Sequence, residues 1–423
     1  MLLSLMLFAA IPATILEESK VPAYTLPDPL VASDGRKVDA EGWKSRRRGE
    51  VMRALETYVY GRTPDTSARQ AEAVQEVREH DAAALGGKAT RTQLRVWPVG
   101  RKGPFIDLLV YLPNGKGGQS PVFLGANFGG NHTAVDDPKV FLPETWVSKQ
   151  WSDPARPDRA SEKHRGSQSS RWQLEMLIAR GYGLATFYYG DVEPDHPEGW
   201  KEGFRAALSP AGRDTVWKDG EWAGVGAWAW GLSRSLDVLS RMPSVDASRV
   251  AVIGHSRLGK ASLWAGAQDG RFALVISNES GCGGAALSKR IFGETVGVIS
   301  GFYKGRGFPH WFTARFATYS ENEAAMPLDQ HWLLATVAPR PLYVASAAED
   351  LWADPRGEFL GAVHADPVFR LLGASGLGTE VFPEVGRAVG GSVGYHNRAG
   401  KHDVTAEDWA NYLDFADRNM KAR

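Results

Sequence analysis

Ser256 stands in a pattern that can turn a serine hydroxyl into a nucleophile. It lies in Gly254-His-Ser256-Arg-Leu-Gly259, directly after the apolar run 250–253. Small residues near such a serine allow a strained turn from a strand into a helix, which lifts the hydroxyl above the sheet. The amide that follows then lies at a helix N-terminus, where it can stabilise a developing oxyanion. The common pattern is Gly-x-Ser-x-Gly, and here the second glycine comes one residue later. The segment predicts Ser256 as the nucleophile of an acyl-transfer enzyme.

The same segment matches most of the sequence pattern of a phosphate-binding loop. Gly254 and Gly259-Lys260 have the required spacing, but that loop needs Ser or Thr in the next position to bind Mg²⁺. The chain has Ala261 there. The segment therefore disfavours nucleotide binding.

A serine nucleophile needs a base, because its hydroxyl is barely acidic near neutral pH. In the fold that uses this turn, the chain order is serine, acid, histidine. Of the ten histidines, only His396 and His402 follow the last predicted strand, 379–383. His402 lies in a loop three residues before Thr405, which caps the last predicted helix. We therefore predict His402 as the base and keep His396 as the alternative, with a structural hydrogen bond as its expected role.

Two carboxylates compete for the acid that orients the histidine. Asp350 follows the predicted strand 342–346, where the fold usually places its acid. Glu279 follows the preceding predicted strand, 273–278. Either side chain could hold His402 and stabilise its imidazolium form, so the spacing alone leaves both open.

Alternating strands and helices must position these residues. Helical patterns cover 42–60 and 222–241, and a further helix begins near Gly259. Two more helices begin at capping boxes, one at Ser170 and Gln173 that continues to Arg180, and one at Thr405 and Asp408. Predicted strands cover 92–99, 106–112, 122–127, 183–189, 250–254, 273–278, 342–346 and, more weakly, 379–383. This alternation predicts the α/β class, with a doubly wound, mostly parallel sheet in one domain over residues 20–423.

Composition excludes several classes of protein. The 423 residues include 49 Lys and Arg and 49 Asp and Glu, so the formal net charge is zero. A nucleic-acid binder or a polybasic membrane-surface protein would carry a basic excess. The single cysteine, Cys282, excludes an intramolecular disulfide and a thiolate metal cluster.

The N-terminus predicts export. Residues 1–16 are apolar and are followed by two glutamates. The run is too short to span a bilayer, but it fits a signal peptide over 1–19 with small residues such as Ala10 or Ala13 near the cleavage site. The run lacks Lys and Arg, and a buried N-terminus is the alternative. We expect a secreted or periplasmic protein.

From about residue 20 onward, the chain resembles the bacterial branch of the glucuronoyl esterases, carbohydrate esterase family 15. Separate matches follow one another in the family's order: Gly254-His-Ser256-Arg257-Leu-Gly-Lys260, Asn278-Glu279-Ser-Gly-Cys-Gly-Gly284, Gly293-Glu294-Thr-Val296, Phe308-Pro-His-Trp311-Phe312, Ala338-Pro-Arg-Pro341, Asp350-Leu-Trp352, Gly400-Lys-His402 and Asp408-Trp409. The lone cysteine rules out the disulfides of fungal members and indicates the bacterial type.

The resemblance implies an α/β-hydrolase fold in a three-layer sandwich, without metal or cofactor. We expect a monomer. It implies cleavage of ester bonds between glucuronic acid, or its 4-O-methyl ether, on xylan and lignin alcohols. Ser256 matches the nucleophile, His402 the base, and Arg257 the residue that stabilises the oxyanion. Glu279 matches the family's better-known acid, so we expect it to be the primary partner of the base and Asp350 to be auxiliary.

Further matches concern the sugar. Lys260, Glu294 and Trp352 match positions that hold it, and Lys260 falls one helical turn after the nucleophile, so both side chains can face one pocket. The stretch 297–307 is longer than is usual for the family, and we expect it to form part of the substrate rim. That stretch includes Tyr303, Lys304 and Arg306.

Two alternatives remain at this point. One is an acetyl xylan esterase or another carboxylesterase, in which the sugar would lie on the alcohol side of the ester. The other is an inert carbohydrate-binding relative, which should have lost Ser256 or His402, and this chain has both.

Overall fold

A computed structural model describes residues 14–66, 72–115, 117–209, 221–303 and 307–420. Most of the predicted leader, residues 1–13, lies outside these ranges, as do Lys304 and Arg306 of the predicted rim. Ile15 and Glu18 contact the body of the protein, and Glu18 forms an ion pair with Arg290 at 2.7 Å. The Ile15 carbonyl accepts a hydrogen bond from the amide of Gly293 at 2.9 Å.

A ten-stranded sheet forms the centre of the fold, and a separate hairpin of two short strands, β5 and β6, lies outside it. The strands are β1 Val74–Ala84, β2 Ala89–Trp97, β3 Ile106–Pro113, β4 Ser120–Asn127, β5 Ser152–Asp153, β6 Arg156–Ala160, β7 Gly183–Tyr188, β8 Val245–His255, β9 Leu274–Asn278, β10 Leu342–Ala347, β11 Val389–Gly390 and β12 Val393–Arg398. The order in the large sheet is β1-β2-β3-β7-β4-β8-β9-β10-β12-β11. The pairs from β7 to β12 are parallel, and the pairs at both edges are antiparallel.

Helices connect the strands. They are α1 Ala40–Gly42, α2 Arg48–Leu55, α3 Asn131–Ala134, α4 Leu174–Arg180, α5 Tyr189–Val192, α6 Phe204–Ala207, α7 Gly224–Leu239, α8 Arg257–Gln268, α9 Val296–Ile299, α10 Ala314–Ala317, α11 His331–Ala335, α12 Pro355–Leu371 and α13 Ala406–Asn419. Two π-helical segments, Trp43–Arg47 and Glu56–Tyr60, extend α2 at both ends. Single 3₁₀ turns cover Glu18–Lys20, Lys149–Trp151, Glu162–His164, Ser169–Arg171, Gly199–Lys201, Ser288–Arg290, Glu323–Ala325 and Leu351–Ala353. Across the described ranges we find no helix with both the length and the apolar character needed to cross a bilayer.

Helices cover both faces of the sheet, which gives three layers. Strand β8 shows why, because its buried residues alternate between two cores. Val250 and Val252 belong to the core under α7, α8, α11 and α12. Ala251 and Ile253 belong to the core under α4 and α13. The predicted α/β-hydrolase sandwich is therefore confirmed.

Several predicted elements differ from the structure. Residues 379–383 form no strand, and the strand in that region is β12, which carries His396. The antiparallel strand β1 was not predicted. The capping box at Ser170 is absent, because Gln173 takes a left-handed conformation and its side chain donates to the Ser170 carbonyl at 2.7 Å. The box at Thr405 is present and caps α13.

The carboxyl ends of the parallel strands meet at one edge of the sheet. Strand β8 leads into Ser256, β9 into Glu279, β10 into Asp350 and β12 into His402. Open α/β sheets place their ligands at this edge. The topology therefore brings together the residues that the sequence separates.

Candidate active site

The turn between β8 and α8 has the strained geometry of a nucleophile elbow. Ser256 has φ 57° and ψ −130°, a backbone conformation that residues other than glycine rarely adopt. Its amide donates to the Asn278 carbonyl at 2.9 Å, which fixes the turn against β9. A Cβ at Gly254 would lie 1.9 Å from the Leu258 carbonyl oxygen, so only glycine fits there.

The delayed second glycine also has a structural reason. A Cβ at Gly259 would lie 3.0 Å from Cβ of Ser280 and 3.2 Å from the Asn278 carbonyl oxygen. The glycine therefore lets α8 pack closely on the turn after β9. Leu258, in the position of the usual glycine, is buried.

His402 lies among two carboxylates and a second imidazole. Its Nδ1 is 2.6 Å from Oδ2 of Asp350 and 3.1 Å from Oε2 of Glu279. The His255 ring, next to the nucleophile in sequence, lies 4.4 Å from the His402 ring between centroids. Because both carboxylates accept from Nδ1, the neutral form of the ring has its lone pair on Nε2, which is the tautomer that a general base needs.

The two carboxylates are not equivalent. Glu279 also accepts hydrogen bonds from the Arg398 guanidinium at 2.7 Å and from the Asp403 amide at 3.0 Å. Asp350 makes the shorter contact with His402. The distances favour Asp350 as the main partner, the reverse of the order expected from the sequence, because the oxygens of Glu279 are already bound by other donors.

Arg398, at the end of β12, organises the loop that carries His402. This buried guanidinium donates to Glu279, to the carbonyls of Lys401 at 2.9 Å and Asp403 at 2.6 Å, and to Oδ2 of Asp408 at 2.7 Å. It thus joins an acid of the site, the loop backbone and the cap of α13. No motif in the sequence marks Arg398, since it lies on a strand that the sequence does not predict.

His396 is fully buried on β12. Its Nε2 lies 2.9 Å from Oδ1 of Asp408, and its Nδ1 lies 3.0 Å from the Tyr343 hydroxyl. Both ring nitrogens are therefore used in hydrogen bonds of the core.

The carboxylates perturb the titration of the site. Burial opposes the charged imidazolium, but the hydrogen bonds to Asp350 and Glu279 outweigh it and raise the pKa of His402 to about 9. Burial raises the pKa of Glu279 to about 7, against the opposing effects of His402 and Arg398.

Arg257 is the first residue of α8. Its guanidinium forms an ion pair with Asp195 and lies over the rings of Trp311 at 4.7 Å and Phe308 at 5.3 Å. The first amides of a helix have no partner within the helix, so the Arg257 amide and side chain together can offer donors beside Ser256.

Lys260, Glu294 and Trp352 lie together. The ammonium of Lys260 donates to the Ser280 carbonyl at 2.5 Å and to Oε2 of Glu294 at 3.0 Å. The Glu294 amide donates to the Trp352 carbonyl at 2.8 Å. Lys260 is buried, whereas Trp352 is 43% exposed. The structure thus joins a buried ion pair to an exposed indole.

In the predicted rim, residues 297–307, the exposed aromatic residue is Phe302 and not Tyr303. Tyr303 is buried, and its hydroxyl donates to Glu321 at 3.0 Å. Phe302 is 49% exposed. The apolar ring that the described part of this stretch presents to solvent is therefore that of Phe302.

One group of side chains has the composition of a metal site. His255, Glu279 and His402 each offer a ligand atom, and these atoms lie within 4.8 Å of one another. The Nδ1 of His255 is bonded to Asn278 at 2.5 Å, and Glu279 is bonded to Arg398. Nδ1 of His402 is bonded to Asp350 and Glu279, so each of the three side chains already has hydrogen-bond partners, and the group fits the proton-transfer site better than a metal site.

Fold and site together place the protein among the serine hydrolases of the α/β-hydrolase fold, as a carboxylic-ester hydrolase. The glucuronyl esterase family of fungi matches residues 215–373. A carbohydrate esterase named MZ0003, from an unknown prokaryotic organism, is 48% identical over 412 residues, which cover 96% of this chain and 91% of the relative.

Two solved structures are similar over nearly the whole chain. The glucuronoyl esterase from Solibacter usitatus is 47% identical with a TM-score of 0.88, covering 95% of this chain and 100% of the other. A promiscuous CE15 esterase from a marine bacterial metagenome is 46% identical with a TM-score of 0.87, covering 96% and 100%. The chain belongs to carbohydrate esterase family 15, the glucuronoyl esterases.

Proposed function

We propose that this enzyme hydrolyses glucuronoyl and 4-O-methyl-glucuronoyl esters that link xylan to lignin alcohols. The observation that carries the proposal is the cluster of Lys260, Glu294 and Trp352 beside the elbow. Lys260 lies one helical turn after Ser256, and the ion pair and the indole suit the hydroxyls and the apolar face of a pyranose. A sugar on the acyl side of the ester would use these groups.

Acylation follows from the hydrogen bonds of His402. Nε2 takes the proton of the Ser256 hydroxyl while the oxygen attacks the ester carbonyl. Asp350 and Glu279 stabilise the resulting imidazolium through Nδ1. The negative charge that develops on the carbonyl oxygen faces the donors of Arg257.

Acylation ends with the departure of the alcohol. The imidazolium gives its proton to the alkoxide of the leaving alcohol, and an acyl-enzyme remains on Ser256. In deacylation, His402 takes a proton from water while the water oxygen attacks the acyl carbon, and the imidazolium then returns that proton to the Ser256 oxygen as the acyl–serine bond breaks and glucuronate leaves. Every step uses side chains and amides of this chain.

The location and assembly are part of the proposal. Lignin-linked xylan lies outside the cell, and the apolar residues 1–16 fit a signal peptide over 1–19. We expect residues 20–423 to act as one secreted or periplasmic catalytic domain, as a monomer.

Substrate preference tests this function. We expect benzyl glucuronate to give a kcat/KM at least about tenfold above that of 4-nitrophenyl acetate, because only the glucuronate engages Lys260, Glu294 and Trp352. The measurement compares both esters and acetylated xylan with one enzyme preparation. A higher kcat/KM for the acetyl esters would show an acetyl esterase instead.

Arg257 should act on the transition state. Replacing Arg257 with Ala removes donors that face charge present only during the reaction, so we expect kcat to fall about 10²–10³-fold with little change in KM. Steady-state kinetics on benzyl glucuronate measure both constants. An effect confined to KM would show that Arg257 only binds the ground state.

The carboxylates should shift the pH dependence. His402 acts as a base only when neutral, and its pKa is raised to about 9. We therefore expect kcat/KM to rise with pH along a limb centred above the ordinary histidine value of about 6.5. Replacing Asp350 with Asn removes a group that raises this pKa, so the limb should move to lower pH. A limb at or below 6.5 in the wild-type enzyme would contradict the expectation.

A further inference from the structure

We propose that Asp195 is the positioning residue of the oxyanion site and acts through Arg257. The inference rests on the oxyanion role of Arg257 in the proposed function. Asp195 follows α5 in the connection after β7, and its side chain is 4% exposed. It reaches the site because β7 ends at the same edge of the sheet as β8.

Four donors surround this buried carboxylate. Its Oδ2 accepts hydrogen bonds from the Arg257 guanidinium and from the Tyr189 hydroxyl at 3.0 Å. Its Oδ1 accepts from the indole of Trp311 at 2.7 Å and contacts Nε2 of His310 at 2.8 Å. Both oxygens are thus bound, which fixes the plane of the carboxylate.

The carboxylate is charged in this environment. Burial opposes the charge, but the hydrogen bond with His310 and the charge of Arg257 hold the pKa of Asp195 below its usual range. A buried ionised carboxylate is tolerated only when it is paired and hydrogen-bonded, and both conditions hold here.

The same carboxylate fixes Arg257 from two sides. It binds the guanidinium directly, and it holds the indole of Trp311, over whose ring that guanidinium lies at 4.7 Å. An arginine side chain has many rotamers, and ordering it before the reaction removes that entropic cost from the transition state.

The Nε of Arg257 is not satisfied by the contacts that fix its guanidinium. Its Nε is buried and has no hydrogen-bond partner among the described residues. A buried donor without a partner costs stability, so the ion pair with Asp195 holds Arg257 in a position that leaves part of its hydrogen-bonding capacity unused.

The test is a double-mutant cycle on kcat with Asp195→Asn and Arg257→Ala, using benzyl glucuronate. We expect Asp195→Asn alone to lower kcat by about 10–100-fold with KM nearly unchanged, because Arg257 loses its fixed orientation. In the Arg257→Ala background the same change should lower kcat less than threefold. An equal loss in both backgrounds would overturn the proposal, since Asp195 would then act independently of Arg257.

A second variant covers the case in which Asp195→Asn does not fold. Trp311→Phe keeps an aromatic ring under Arg257 and removes the donor to Asp195, so we expect kcat to fall a few-fold, and only when Arg257 is present. The matched control is Trp332→Phe. Trp332 also has an arginine over its ring, Arg47 at 4.4 Å, and its indole donates to a backbone carbonyl at 2.9 Å. Because Trp332 lies on α11 and binds the Pro27 carbonyl and not Asp195, we expect Trp332→Phe to leave kcat nearly unchanged.

The outcomes separate the two proposals. If Arg257→Ala leaves kcat unchanged, the oxyanion role fails and the inference fails with it. If Arg257→Ala lowers kcat while Trp311→Phe lowers it equally in both backgrounds, or no more than Trp332→Phe does, the oxyanion role stands and the positioning role of Asp195 is wrong.

Discussion

Replacing Ser256 with Ala should lower kcat on benzyl glucuronate by about 10⁴-fold or more, because the acyl-enzyme of the proposed mechanism forms on the Ser256 hydroxyl. Alanine has the same Cβ as serine, so the strained turn at φ 57° is equally accessible to it. We therefore expect the free energy of unfolding to change by less than about 1 kcal/mol. The measurements are steady-state kinetics and denaturant unfolding of the same preparation.

A matched serine provides the control. Ser235 is buried on α7, where its hydroxyl donates to the Gly231 carbonyl at 3.0 Å, away from the elbow. Ser235→Ala should keep nearly full activity while losing about 1 kcal/mol of stability. Residual activity above about 1% in Ser256→Ala would exclude Ser256 as the nucleophile.

The parallel strands that could be predicted from the sequence are buried on both faces and consist of short apolar runs between turns. The runs that became β4, β7, β8, β9 and β10 are of this kind. The elbow was also readable, since the chemistry of a nucleophilic serine requires small residues at fixed positions. The weak strand prediction at 379–383 was wrong, and the parallel strand β12 was missed because its sequence, although buried, ends in the polar residues His396, Asn397 and Arg398.

The supporting residues of the site could not be predicted in this way. Arg398 reaches Glu279 across 119 positions of sequence, and Asp195 reaches Arg257 across 62. Neither lies in a local pattern, and a lone Arg or Asp in a polar loop usually indicates a solvated side chain. Their roles arise only from the topology, which brings the ends of β7, β9 and β12 to one edge.

The second large effect concerns the acids that serve His402. Asp350 makes the shorter contact with Nδ1, at 2.6 Å, while Glu279 lies at 3.1 Å and is held by Arg398. We expect Asp350→Asn to lower kcat by about 10²-fold and Glu279→Gln by about 10-fold, because each variant retains one carboxylate to hold the tautomer. The double variant has none and should lose about 10⁴-fold, more than the product of the single losses.

The experiment must distinguish the loss of a negative charge near His402 from the loss of a hydrogen-bond partner of its Nδ1. Asp403 lies next to His402 in sequence, but its carboxylate binds Arg171 at 2.5 Å. Asp403→Asn therefore removes one negative charge near the imidazole without removing a partner of Nδ1. We expect kcat to change by less than threefold in this control, since a half-exposed charge is screened by solvent.

The cycle distinguishes three arrangements of the acids. A loss in the double variant that exceeds the product means that the carboxylates replace each other, as two acceptors on one Nδ1 allow. Strictly additive losses would mean independent roles and would contradict the shared one. If Glu279→Gln alone lost more activity than Asp350→Asn, the order inferred from the distances would be wrong, and the order expected from the Asn-Glu-Ser-Gly segment would hold. In that case the hydrogen bond from Arg398 would orient Glu279 toward the imidazole, and would not compete with His402 for the negative charge of Glu279.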